Sequence, residues 1–67
     1  MAVSGRNQIY GVVARIDYGD VVSKVVLNSA AGEITAVITT DAVQSLNLQP
    51  GVCVYALVKA TDVMIIR

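Results

Sequence analysis

Two short polar segments carry most of the groups in this chain that could grip a ligand. Ser4-Gly5-Arg6-Asn7 stands immediately before the first apolar run, and Lys59-Ala60-Thr61-Asp62 forms a corner near the end. They supply hydroxyls on Ser4 and Thr61, the forked N–H groups of Arg6, the Asn7 amide and the Lys59 ammonium. Gly5 and Ala60 leave neighbouring backbone N–H groups sterically open. Composition alone does not separate a ligand site from two ordinary polar loops.

Catalytic chemistry finds no comparable foothold. Histidine is absent, so the single cysteine, Cys53, has no imidazole to activate it. It lies mid-strand among valines and reads as a buried small hydrophobe. The acidic residues are scattered at turns and ends, and neither a phosphate-cradling glycine loop nor a metal-ligand spacing is present. The expectation is a binding protein, not an enzyme, with no organic cofactor and no protein-ligated metal.

The elements that must position these clusters belong to one domain, residues 1–67. A chain this short buries only about 60% of the surface it exposes when unfolded. Small domains compensate with disulfides, a structural metal or oligomerisation. One cysteine and no histidine leave the third route, and the composition fits it: 55% of the residues are hydrophobic and 15% charged. Zero net charge argues against a nucleic-acid partner, because such binding needs a basic field to displace counterions. No apolar run reaches the eighteen or so residues of a membrane span. A free thiol and an opening segment without signal-peptide character lead us to expect a cytoplasmic protein with no membrane partner.

Apolar runs alternate with turn signals about every ten residues, the rhythm of a small barrel or sandwich. Strands are expected at 8–17, 21–28 and 33–39 as an antiparallel meander, then at 52–59 and 62–66. Between 40 and 48 the period changes to that of a short helix, with Thr40 or Asp41 as its cap, Val43 and Leu46 on one face, and Asn47 as its stop. Pro50-Gly51 suits the centre of a type II turn. Three strands, a helix and two strands are the order of an all-β, five-stranded OB-like Greek-key barrel. Gly11 is the expected place for its first strand to bend. Val21, Val25 and Leu27 share one face of the second strand, and Val22 and Val26 the other. Apolar residues on both faces point to a subunit interface on the outer wall. The run Val63-Met64-Ile65-Ile66 would be an aggregation hazard on an open edge unless another chain paired with it.

Three stretches together resemble the molbindins, the small Mop-like molybdate-binding proteins whose module is also the TOBE domain of molybdate regulators and transporter ATPases. They are Ser4-Gly5-Arg6-Asn7-Gln8 before a Gly-Val-Val strand, Ile34-Thr35-Ala36-Val37-Ile38-Thr39, and Tyr55-Ala56-Leu57-Val58-Lys59-Ala60-Thr61-Asp62-Val63-Met64. Gly5 replaces the family's usual alanine. The resemblance implies a homohexamer, a trimer of dimers, holding molybdate or tungstate between subunits. Carried onto this sequence, the oxyanion-binding residues are Ser4, Arg6, Asn7, Lys59, Ala60 and Thr61, with Val21 and Val22 contributing backbone N–H groups. Pooling Arg6 from one chain with Lys59 and Thr61 from another would close the shell. The implied role is storage or buffering of the ion. The alternatives are an OB-fold nucleic-acid module, for which only Tyr10, Tyr18 and Tyr55 offer stacking surfaces, and a purely structural or regulatory assembly domain.

Overall fold

The computed structural model describes residues 6–67, with Arg6 described for its backbone. The elements run β1 (Arg6–Asp17), β2 (Val22–Ser29), β3 (Gly32–Thr39), α1 (Thr40–Ser45) and β4 (Cys53–Lys59), followed by a 3-10 turn at Ala60–Asp62. The strands make one antiparallel sheet in the order β3-β2-β1-β4, so β1 is the strand that joins the meander to β4.

The connections follow from the turn residues. β2 and β3 pair as far as Ser29 and Gly32, leaving Ala30-Ala31 as the loop, and Gly32 takes a positive φ of 105° that a side chain would strain. Pro50-Gly51 makes the expected turn: Val52 N–H donates to Gln49 O at 3.1 Å, and Gly51 has φ 95°. That turn is laced to β1, because Gly51 N–H donates to Val13 O and Val13 N–H to Val52 O. The bend in β1 falls elsewhere than expected. The ladder to β2 shifts register between Val13 and Arg15, a bulge that curls the strand. Gly11 serves close approach instead, since a Cβ there would sit 3.0 Å from Asn28 O.

The helix is capped by Thr39, whose hydroxyl accepts from Ala42 N–H, and not by Thr40 or Asp41. Thr39 is the last extended residue (ψ 148°), and only an extended residue can turn its hydroxyl onto the first helical turn. Helix α1 ends at Ser45, and Asn47 follows with φ 52°. Val43 enters the core, but Leu46 is 64% exposed and Leu48, beyond the helix, is buried in its place. Val13, Val25, Leu27, Val43 and Leu48 form the core cluster, with Ile16, Ile34, Ile38, Val52, Val54 and Ala56 packed around it. Val26, on the other face of β2, is also buried but lies outside that cluster.

The described residues form four strands, not the expected five. Residues 60–62 turn as 3-10 helix and, among the described residues, 63–67 pair with no strand, although Val63 has extended dihedrals. Met64, Ile65 and Ile66 are 85%, 88% and 91% exposed. The 3-10 turn at Ala60–Asp62 ends β4 and separates it from this segment.

Candidate functional site

The β1–β4 ladder brings the two polar clusters together. Arg6 is the register partner of Lys59 and Asn7 of Val58, so residues from opposite ends of the sequence share one end of one sheet. Asn7 Nδ2 donates to Val58 O at 3.4 Å, which ties its amide to the ladder. Lys59 is the last residue of β4, and the strand's alternation puts it on the exposed face with Cys53, Tyr55 and Leu57. The backbone then leaves the sheet through the exposed Ala60–Asp62 turn, whose one backbone hydrogen bond is Val63 N–H to Ala60 O at 3.4 Å. Ser4 lies outside the described residues.

Lys59 makes no ion pair among the described residues. The pairs present join Asp17 to Lys24 at 3.4 Å and to Arg15 at 4.0 Å, at the far end of β1. Two basic residues opposite one another are mutually repulsive across a ladder. A dianion beside them would reverse the sign of that interaction. Within one chain, the backbones of Arg6 and Lys59 share a rung of the β1–β4 ladder.

Val21 and Val22 are not part of this grouping. They follow Asp17 at the other end of the 12-residue β1, 74% and 53% exposed. Val21 O accepts from Thr40 N–H at 2.8 Å, which anchors the segment to the start of the helix.

Sequence reasoning missed the hydroxyls beneath that segment. Ser23 is 2% exposed and its Oγ lies 2.7 Å from Thr40 Oγ1. The signal was there: Ser23 shares the inward face of β2 with Val25 and Leu27, and a hydroxyl on a core face requires a partner. Cys53 also departs from expectation, being exposed, because β4 points Val54, Ala56 and Val58 inward and Cys53 out. Beside it Tyr10 and Tyr55 pack edge to face with centroids 5.4 Å apart. A hydrogen bond with Cys53, and then repulsion from its thiolate, hold the Tyr10 phenol above its ordinary range. Among the described residues no three metal-ligating side chains cluster, and no helix is long and apolar enough to cross a membrane.

The TOBE domain model matches residues 3–65. Molybdenum-pterin-binding protein 2 of Clostridium pasteurianum is 43% identical, with 98% of each chain aligned. The structure of a molybdate-binding protein from Sporomusa ovata superposes with a TM-score of 0.92 at 42% identity, covering all of both chains. The cytoplasmic molybdate-binding protein ModG, solved with molybdate bound, matches with a TM-score of 0.88 at 38% identity over 96% of this chain and 46% of its own. With that family match, close relatives of the same length and the same small all-β fold, this chain belongs to the TOBE domain family as a Mop-like molbindin.

Proposed function

We propose that this protein binds molybdate or tungstate as the intact oxyanion, without chemical change, and stores or buffers it in the cytoplasm at the subunit interfaces of a homohexamer. The observation that carries the reading is the Arg6–Lys59 pair at the end of the β1–β4 ladder, with the Asn7 amide beside it and the Ala60–Thr61 backbone following. Relatives named for molybdate and molybdenum-pterin binding support molybdate as the ion.

The chemistry suits the ion. Molybdate at neutral pH is a tetrahedral dianion with four acceptor oxygens and no proton to give. N–H and O–H groups satisfy it completely. Phosphate, partly protonated at that pH, would leave its own O–H without an acceptor in a donor-only site, which is costly once water is excluded.

Self-association is supported by an apolar groove of about 330 Å³ walled by β3 and β4, with Ile34, Ile38, Leu48, Val54 and Ala56 among its lining. The unpaired apolar residues 63–66 have the right chemistry to cover such a surface on a second copy. One chain offers few donors for a dianion, so association would bring the Val21–Val22 segment of one copy toward the Arg6–Lys59 end of another.

Native mass spectrometry with and without molybdate tests both parts at once. The expected result is a six-chain assembly that gains mass in molybdate units, with tungstate substituting and phosphate doing much less. A monomer that takes up no oxyanion, or equal uptake of phosphate, defeats the reading. An oligonucleotide-binding role would draw on the exposed Tyr10 and Tyr55, but it would show steep salt dependence that an enclosed oxyanion site lacks.

A further inference from the structure

Gly19 is held through both its backbone polar groups. Its N–H donates to Ser23 Oγ at 3.3 Å, and its carbonyl accepts from Thr40 Oγ1 at 2.7 Å. The two hydroxyl oxygens are 2.7 Å apart. Thr40 has a single hydroxyl proton and spends it on Gly19 O, so Ser23 donates to Thr40. The three hydrogen bonds close into a ring in which every donor is used once. A second tie runs from Thr40 N–H to Val21 O at 2.8 Å. Glycine is required at position 19, because a Cβ there would collide with the Val22 carbonyl.

This arrangement does more than fill the core. A valine at 23 would continue the apolar inward series of β2, whereas a buried hydroxyl demands complete satisfaction. What the ring fixes is the backbone from Gly19 to Val22. It turns the carbonyls of Gly19 and Val21 onto Thr40. Among the described turn hydrogen bonds, Val21 N–H takes part in none, and Val21 and Val22 are well exposed.

We propose that Ser23 and Thr40 are positioning residues for oxyanion binding. Their ring presets the Val21–Val22 segment, so that its backbone N–H groups meet the ion at a neighbouring copy's Arg6–Lys59 end without a further ordering cost. The inference rests on the proposed function, and deepens it by assigning specificity-shaping work to two side chains that do not touch the ion. Preset donors bind more tightly than donors that must first be ordered.

The test titrates molybdate into wild type, Thr40→Val and Thr40→Ser by calorimetry, with assembly mass and melting temperature measured on each. Thr40→Val keeps the shape and the backbone N–H but opens the ring. Its affinity should fall about tenfold, the usual lower effect of losing an outer supporting contact. Thr40→Ser restores the hydroxyl and should return to within about twofold of wild type. Thr40→Val binding as tightly as wild type, even with a lowered melting temperature, overturns the inference and leaves the proposed function standing. Wild type that fails to bind molybdate overturns the proposed function, and the inference with it. Should Thr40→Val not fold, amide NMR on the wild type decides. The Val21 and Val22 N–H signals must shift on molybdate addition, and signals that stay in place overturn the proposal.

Discussion

Arg6 and Lys59 are cross-strand partners, the first described residue of β1 facing the last of β4. Two cations on one rung are a liability to the free chain and an asset to a chain that holds a dianion. The free protein should therefore tolerate loss of either charge better than the loaded one.

Lys59→Met keeps the apolar stem of the side chain and removes its ammonium. A hydrogen bond to a charged group is worth about 1.5–3 kcal/mol, so molybdate affinity should fall roughly ten- to a hundredfold. Stability without ligand should stay within about 0.5 kcal/mol, as for most exposed substitutions. Arg15→Met, at the other end of β1, is the control and should bind as wild type. Calorimetric titration of both variants checks this, and equal affinities would remove Lys59 from the site.

The exposed tail should govern assembly. Ile65→Asp places a charge where three successive residues are at least 85% exposed and apolar, 64–66. Sedimentation should show a smaller species than wild type, with a melt that depends more steeply on protein concentration. An unchanged assembly would mean that residues 63–66 cover nothing on a second copy.

Capping can be apportioned by two substitutions. Thr39→Ala deletes the hydroxyl that accepts from Ala42 N–H and should cost about 1 kcal/mol. Asp41→Ala removes only a favourable charge in the first helical turn, worth about 0.3–1 kcal/mol at low salt and less in salt. Chemical denaturation of both variants in 0.5 M salt should widen the gap between them. A larger loss from Asp41→Ala would assign the cap to the wrong residue.

Tyr10 should ionise above the ordinary tyrosine value of 10.0, held there first by its hydrogen bond with Cys53. The folded pKa is raised, so the associated stability is intact below the unfolded pKa and is lost as pH rises from there through the folded value. Cys53→Ala should bring the Tyr10 phenol back toward its ordinary range in an ultraviolet absorbance titration. No change on that substitution would contradict the contact.

Most strands, the helix and the Pro50-Gly51 turn were legible because each rests on local chemistry: alternation, a change of period, a residue preset for one φ. Other features were not. The cap went to Thr39, the last residue of β3, because capping depends on which residue is still extended just before the helix. The end of the chain reads as a strand by composition, but a strand also needs a neighbouring edge, which no property of Val63-Met64-Ile65-Ile66 supplies. Cys53 looked buried among valines, yet the pleat sends alternate residues outward regardless of polarity. For the candidate site, the residue types announced donors, while the pairing of Arg6 with Lys59 is a matter of register and became visible only in the sheet.

The sheet order also dictates a sequence of events during folding. Strands β1 to β3 are joined by short loops and can zip together as they are made. The ladder between β1 and β4 joins the two ends of the chain, so its closure carries the largest loop entropy and should come last. Because the Arg6–Lys59 rung lies at the outer end of that ladder among the described residues, this end of the candidate site should form last within the chain. A nascent chain could then form its meander and helix while still unable to hold an anion.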